Sequence, residues 1–292
     1  MLGLVLPLDA LYRPLTFQTS ILCQRIGIAK DGFYSSMREG HKYDASNFEY
    51  LDKIFKRELV NGDGGLFSDS SIPYSQSPIN TASADADVDP DTPICIGMDY
   101  NANINWIVAG QPRDRRLNVI KSFYVKFDRK IPALVEDFCR YYAAHRNKTV
   151  VYYYDVTALG SNYAVNDQDF HYNVVKEFER HGWRIESVYL GNPMHHDEKY
   201  LLINNAFAGK QRLMPFFNRS NNEDLILAIQ SAGVSNGRNG FRKDKSGEKL
   251  AESEEDLLEH RTDGTDAFDT LYIGCEKFPY HDTFSLSMSG VL

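Results

Sequence analysis

The chain has 292 residues, of which 42% are hydrophobic and 25% are charged, and its formal net charge is −8 at pH 7. This composition is typical of a globular protein with a hydrophobic core, and no run in the sequence approaches the roughly 18 apolar residues of a membrane span. The apolar N-terminus lacks a basic segment and is interrupted by Pro7 and Asp9, so a secretory signal is not expected.

Most of the excess negative charge lies in one segment. Residues 62–98 contain six Asp and no Lys or Arg, so the rest of the chain carries a net charge of only −2. Any acidic metal site would contribute to that remainder until its cations bind. Because nucleic-acid-binding domains are commonly basic, the acidity weakens a DNA-binding function while leaving it open.

The composition divides the chain into three parts. Residues 61–92 are rich in Ser, Asp, Gly and Pro and show no apolar period, which predicts a linker or a long loop. The stretch before it holds one predicted helix, near 47–59, and few apolar clusters. We therefore expect an N-terminal extension with an acidic linker over 1–92, a globular domain over 93–280 and a C-terminal tail over 281–292.

The predicted elements of the globular domain follow a regular order. Three β-rich runs separated by polar turns predict an antiparallel meander, and the second half alternates strands with helices, which requires parallel pairing. This is the element order of a ribonuclease H-like domain. The predicted fold is α/β: a mixed central sheet of three antiparallel strands followed by parallel strands, with helices on both faces. The predicted strands are 94–100, 104–111, 117–127, 149–155 and 184–191, and the predicted helices are 132–145, 174–183, 197–208, 222–232 and a last one from about Thr265.

The four cysteines are widely scattered and form no CxxC pair. This spacing argues against a zinc ribbon and against a disulfide framework, and it fits a reducing cytoplasm. We expect all four to be buried, as free cysteines commonly are. They are Cys23, Cys95, Cys139 and Cys275.

Three acidic residues stand where strands end or a helix begins. Asp99 ends the first predicted strand, Asp155 ends the fourth, and Asp266 opens the last helix. If the first and fourth strands are neighbours, Asp99 and Asp155 lie side by side at one sheet edge, where a packed helix brings Asp266. Converging carboxylates repel unless cations lie between them, and oxygen-rich sites suit Mg²⁺ or Mn²⁺. The pattern predicts two-metal phosphodiester hydrolysis, with Asp99 as the bridging ligand.

Each of these acids also has a purely structural interpretation. An Asp at a strand end, such as Asp99 or Asp155, is often a turn residue. Asp266 would favour the positive end of the helix dipole, Asp263 would cap the helix, and Asp269 would be a solvated helix residue. Residue pattern alone does not choose among Asp263, Asp266 and Asp269 as the third ligand.

Three segments resemble the acidic motifs of phage terminase large-subunit nuclease domains: ICIGMDYN, VVYYYDVTALG and TDGTDAFDTLY. In that family the last motif is typically an acid followed by Ala near the start of the closing helix, as in Asp266-Ala267. The stretch 199–233 is similar to the helical region of the family, GFRKDKSGEK to its hairpin near the active site, and GFYSSMREGHKY to the connector that follows the motor domain. The resemblance covers roughly residues 30–280.

The resemblance implies a function and a set of site residues. Asp99, Asp155 and Asp266 would bind two divalent cations, Mg²⁺ or Mn²⁺, with Asp263 as an auxiliary ligand. The implied activity is an endonuclease that cuts concatemeric viral DNA during packaging, without sequence specificity, in the cytoplasm of the host of a phage or prophage. Its implied partners are double-stranded DNA, an ATPase motor domain or chain, a small terminase subunit and a portal. The sequence has no GxxxxGK[ST] phosphate loop, so we expect neither ATP hydrolysis nor DNA translocation from this chain.

A predicted hairpin over 236–249 carries a cluster of basic residues. Such side chains would contact phosphates on either side of the cut, although a solvated basic loop fits the pattern nearly as well. These residues are Arg238, Arg242, Lys243, Lys245 and Lys249.

Two further clusters favour structural roles. The adjacent His195-His196-Asp197 lack metal-ligand spacing and indicate the start of a helix. The run 152–154 of three Tyr is typical of a strand that lies partly in the core, rather than of a base-stacking surface.

Other functions remain compatible with the sequence. A junction resolvase or transposase-like nuclease would keep the fold, and the connector-like GFYSSMREGHKY argues for a terminase instead. An actin-like nucleotide-binding module would show Gly-rich phosphate loops after two hairpins, which this sequence lacks. A non-catalytic packaging or interaction domain would keep the acids without binding metal.

Overall fold

A computed structural model describes residues 32–45, 85–101, 104–160, 169–237, 240–246 and 262–280 of the chain. The predicted helix near 47–59, the predicted tail, Cys23, Arg238 and Lys249 lie outside the described residues. The structure assigns no described helix the length and apolar character that a membrane crossing requires.

The described elements alternate strands and helices after an initial meander. The strands are β1 (Lys42–Tyr43), β2 (Ile94–Tyr100), β3 (Ile104–Arg113), β4 (Arg116–Lys126), β5 (Thr149–Tyr154), β6 (Arg184–Tyr189), β7 (Met214–Asn218), β8 (Val234–Gly237) and β9 (Gly240–Lys243). The α-helices are α1 (Ile131–Tyr141), α2 (Phe170–Arg180), α3 (His196–Phe207), α4 (Glu223–Ser231) and α5 (Asp263–Lys277). Two short 3-10 helices cover Glu39–His41 and Val156–Leu159.

Seven of the strands form one mixed sheet in the order β1-β7-β4-β3-β2-β5-β6. Strands β2, β3 and β4 form the predicted antiparallel meander, while β5 pairs in parallel with β2 and β6 with β5. The fold is therefore α/β with a mixed sheet of the ribonuclease H-like kind, as the sequence predicts. Strands β8 and β9 form the separate predicted hairpin.

The sheet carries a hydrophobic cluster on each face, because successive strand residues point to opposite sides. Cys95 and Val151 pack on one face with residues of α3, α4 and α5. Ile94 and Ile96 pack on the other face with residues of α1 and α2. The predicted helices on both faces are confirmed, and the described cysteines, which include Cys139, are buried and free.

Helix α5 lies unusually close to the sheet because two glycines face it or belong to it. A Cβ atom on Gly97 of β2 would lie 2.4 Å from the carbonyl oxygen of Ala267 and 2.4 Å from the backbone nitrogen of Leu271. A Cβ atom on Gly274 would lie 2.1 Å from the ring of Tyr153 in β5. Such distances are well inside van der Waals contact, so only glycine permits this approach. The close packing fixes the start of α5 beside the ends of β2 and β5.

The last residues of the predicted acidic linker pack against the domain. Asp85 is 1% exposed; it accepts hydrogen bonds from the hydroxyl of Tyr141 at 2.5 Å and from the amide of Asn221 at 3.1 Å. Asp87 accepts one from the hydroxyl of Tyr43 in β1 at 2.5 Å. Burying a carboxylate is costly unless donors satisfy it. This part of the acidic segment is therefore a loop with fixed polar contacts.

Two strands were not among the predicted elements. β7 and the two-residue β1 pair in parallel with each other, and β7 pairs in parallel with β4. β7 is five residues long and contains Pro215, a residue that is depleted in strands. Its strand conformation depends on pairing with distant partners, which local pattern does not reveal.

Candidate active site

Asp99 and Asp155 lie at the same end of two neighbouring parallel strands. The register pairs Ile96 with Tyr152 and Gly97 with Tyr153, and two residues further on, the chains reach Asp99 and Asp155. Because the strands are parallel, both acids stand at the carboxyl-terminal edge of the sheet. In open α/β sheets this is the edge at which ligands commonly bind.

Asp155 also caps the short helix that follows β5. Its Oδ1 atom accepts hydrogen bonds from the backbone N–H of Thr157 at 2.9 Å and from the hydroxyl of Thr157 at 2.5 Å. The expectation that a strand-end Asp acts as a turn residue is thus correct for Asp155. These two bonds also fix the orientation of its carboxylate.

Asp266 reaches the same edge from α5, which Gly97 holds against β2. All three acids line one cavity of about 220 Å³, which we call the acid cavity. The other described residues that line the acid cavity are Met98, Tyr100, Tyr154, Thr157, Pro193, Met194, His196, Lys199, Lys245 and Thr270. Three acids that are far apart in the sequence therefore border a single space.

The Asp266 carboxylate is bound by two lysines of the β8–β9 hairpin region. Its Oδ1 atom lies 2.7 Å from the ammonium of Lys243, and its Oδ2 atom lies 2.5 Å from the ammonium of Lys245. Although burial acts to raise the pKa of Asp266, the ammonium groups of Lys243, Lys245 and Lys199 hold it well below its ordinary value. Asp266 is consequently ionised at neutral pH.

Lys243 is buried and does not lie on a surface where DNA would reach it. It is 1% exposed, and its ammonium also lies 2.7 Å from Asp269 and 5.0 Å from the centre of the Phe33 ring. Burial opposes its charge, but the carboxylates of Asp266 and Asp269 outweigh it and raise its pKa. The predicted phosphate contact from Lys243 does not fit this position, because its donors already face two carboxylates.

Asp269 lies behind Asp266, in the core. It is fully buried, and the hydroxyl of Tyr34 donates a hydrogen bond to it at 2.7 Å. The interpretation of Asp269 as a solvated helix residue is therefore wrong. The signal for its burial is Lys243, whose counter-charge reaches it through tertiary contact.

The remaining predicted site residues lie apart from the acid cavity. Asp263 is 2% exposed and accepts a hydrogen bond from the amide of Asn101 at 3.0 Å, and it is not among the residues that line the acid cavity. Arg242 is exposed and lines a neighbouring space of about 560 Å³ with Lys245 and His196. We call this space the hairpin cavity.

The composition of the acid cavity suits divalent cations, which prefer carboxylate oxygens. As the side chains stand, no three described His, Cys, Asp or Glu residues are close enough to hold one ion. The position of Asp266 explains this, since Lys243 and Lys245 engage its two oxygens. Asp99, Asp155 and Asp266 are the residues that would hold a metal, provided that Asp266 exchanges a lysine for it.

Sequence reasoning missed two residues of this cavity. His196 begins α3, as its neighbourhood indicates, and it also lines the acid cavity. Burial lowers its pKa, so the imidazole is neutral at pH 7. Lys199, one turn further along α3, lies 3.4 Å from Asp269. Their spacing of three on a helix predicts a shared face, but the sequence does not say what that face borders.

Phage large terminases are among the solved structures to which this chain is similar. A large terminase from a thermophilic bacteriophage, solved at full length of its own chain match, aligns over 65% of this chain and 41% of its own, with 11% identity and a TM-score of 0.43. The large terminase nuclease from thermophilic phage G20c, with bound cobalt, aligns over 63% of this chain and 82% of its own, with 10% identity and a TM-score of 0.38. A structure of the same nuclease with bound magnesium gives the same values.

The alignment spans about two fifths of the first of these large terminases. No protein-family model matches the sequence, and no curated protein matches it.

Proposed function

We propose that this chain is a divalent-metal-dependent DNA endonuclease of the large-terminase type, with Asp99, Asp155 and Asp266 as its metal ligands. The observation that supports this most directly is that the three acids border one cavity at the carboxyl-terminal edge of the sheet. When bound, two cations, Mg²⁺ or Mn²⁺, would polarise the scissile phosphate and lower the pKa of an attacking water.

The residues of the chain would prepare this site in distinct ways. The pairing of β2 with β5 holds Asp99 and Asp155 side by side, and Thr157 orients the Asp155 carboxylate through two hydrogen bonds. Lys245 counters the charge of Asp266 before a cation binds. Preorganisation of this kind reduces the rearrangement that the reaction requires.

We further propose that the substrate is concatemeric viral DNA, cut without sequence specificity during genome packaging in the cytoplasm of the host cell. Double-stranded DNA, an ATPase motor domain or chain, a small terminase subunit and a portal would be its partners. On the hairpin, Arg242 and Lys245 border the hairpin cavity next to the acids, which supports phosphate contacts from these two residues.

A non-catalytic packaging or interaction domain is the second candidate. The ion pairs of Asp266 with Lys243 and Lys245 favour it, because they occupy the oxygens that a cation needs.

Plasmid cleavage separates these functions. We expect nicking and linearisation that require Mn²⁺ or Mg²⁺, stop in EDTA and fall at least about 100-fold in Asp155→Asn, since Asn keeps the acceptor for Thr157 but loses the charge that a metal requires. Asp91→Asn, an exposed acid in an ion pair with Arg146, is the matched control and should cut normally.

Each other outcome identifies a different function. Cutting that persists in EDTA rules out the two-metal mechanism. Metal-dependent cutting of a four-way junction, but not of linear duplex, supports a resolvase. A folded protein that cuts nothing with any divalent metal supports the non-catalytic domain.

A further inference from the structure

A second cavity continues from the acid cavity. It has a volume of about 350 Å³, and we call it the flanking cavity. It shares five lining residues with the acid cavity: Asp155, Pro193, Met194, Lys199 and Thr270. Its size is within the range of pockets that hold small organic groups, about 300–1,000 Å³.

The far end of the flanking cavity presents an aromatic residue and a cation. Phe278 and Lys277, at the C-terminal end of α5, both line it. Phe278 is 42% exposed, which is unusual for a large apolar residue, and Lys277 is exposed as well. An exposed aromatic next to a cation is the combination with which proteins bind unpaired nucleotides, through base stacking and phosphate contact.

The position of Phe278 is fixed by its own backbone. Its N–H donates a hydrogen bond to the carbonyl of Gly274 at 2.8 Å, and its carbonyl accepts one from the hydroxyl of Tyr153 at 3.0 Å. Little conformational freedom remains in its backbone to be lost on binding, which favours affinity.

We infer that the flanking cavity is a nucleotide subsite, in which the base next to the scissile phosphate stacks on Phe278 while Lys277 contacts its phosphate. The assignment of the strand rests on the proposed function, since a strand whose phosphate lies at Asp155 continues directly into the flanking cavity. Stacking needs a free base face, so the nucleotide beside the cut is held out of the duplex stack.

Binding without cleavage tests the subsite. The probe is a fluorescein-labelled single-stranded oligothymidylate, measured by fluorescence anisotropy in EDTA, beside an oligonucleotide of equal length whose sugars lack bases. Wild type should prefer the normal strand. Phe278→Ala should weaken its binding by about 5- to 150-fold, the range for loss of one base-stacking contact, and should abolish the preference. Phe278→Trp should restore both.

Matched variants control for general surface effects. Leu201→Ala removes an apolar residue that is 60% exposed and lies outside the lining of these cavities, so it should bind like wild type. Lys277→Ala should reduce the slope of log affinity against log salt by about 0.7 for a single strand, whereas Lys210→Ala, which changes an exposed lysine near the end of α3, should leave the slope unchanged.

The outcomes separate this inference from the proposed function. If Phe278→Ala binds as tightly as wild type and keeps the preference for bases, or if wild type shows no such preference, the subsite is wrong even where metal-dependent cleavage is intact. If the stacking contact is found but no metal supports cleavage, the subsite stands and the nuclease assignment falls.

Discussion

Lys243 and Lys245 are two residues apart on the same hairpin, yet their environments differ. The side chain of Lys243 is fully buried and pairs with Asp266 and Asp269, whereas the side chain of Lys245 is 46% exposed and pairs with Asp266 alone. A buried ion pair is weak evidence for net stabilisation, but removing one partner leaves an uncompensated buried charge. The two lysines should therefore respond very differently to the same substitution.

We expect Lys243→Ala to lower the free energy of unfolding by about 3 kcal/mol or more, because it leaves the carboxylates of Asp266 and Asp269 without their main counter-charge. Lys245→Ala is the matched control and should cost about 1 kcal/mol or less, as exposed pairs do. Denaturant unfolding at pH 7 measures both. Equal effects of the two substitutions would show that Lys243 is not the buried counter-ion described above.

At the residue scale, sequence predicted the acids better than their partners. Asp99 and Asp155 are visible as acids that follow apolar strand runs, so their positions could be predicted from local pattern. The burial of Lys243 could not, because a lysine on a Gly-rich hairpin has the pattern of a solvated loop. Its environment depends on Asp269 and Phe33, which lie far from it in the sequence.

Helix α5 is the element on which the site depends, and Gly97 sets its distance from the sheet. Because any Cβ there would overlap the backbone of α5, the helix must move or the strand must bend. Such displacement would carry Asp266 away from Asp99 and Asp155. Gly97 thus links core packing to the geometry of the acid cavity.

Gly97→Ala should lower the free energy of unfolding by about 1–3 kcal/mol or more, as overpacked cores do, and should reduce metal-dependent cleavage. Thermal unfolding and plasmid cleavage measure the two effects. Gly40→Ala is the matched control, since a Cβ atom there meets nothing within 4 Å. If Gly97→Ala is as stable as Gly40→Ala, the close approach of α5 is not what positions Asp266.

At the element scale, the sequence predicted strands β2 to β6, the hairpin and the described helices within a few residues, because their apolar periods are long and clear. It missed β1 and β7, where two and five residues gain strand structure only through pairing. The adjacency of β2 and β5 followed from the predicted fold. The cavity that joins α3, α5 and the sheet edge required three-dimensional packing.

At the scale of the whole molecule, the acidic segment before β2 joins several elements through buried carboxylates. Burial raises the pKa of Asp85 to about 6, with a further contribution from Asp87 and opposition from its Tyr141 and Asn221 hydrogen bonds and from Lys121. The folded state therefore binds a proton at Asp85 more tightly than the unfolded state does. By linkage, this group favours folding more as pH falls from about 6 towards 4.

Asp85→Asn should consequently stabilise the protein relative to wild type at pH 7 and lose that advantage at pH 4, with a pH-dependent difference of at most about 3 kcal/mol. Urea unfolding across this range measures the difference. Asp91→Asn should show the opposite trend, because the hydrogen bond from Arg146 lowers the pKa of Asp91. A difference between Asp85→Asn and wild type that does not change with pH would contradict the raised pKa.

The segment GFYSSMREGHKY has a consequence for any attempt to shorten the protein. Composition alone suggests trimming the chain at residue 93, yet Phe33 and Tyr34 fill the core beside α5, and Tyr34 donates to Asp269. A trimmed version would gain a void next to a pair of buried charges and would expose one margin of the sheet by losing β1. The trimmed product would therefore be prone to aggregate through β7, and its failure to cut DNA would say nothing about the three aspartates.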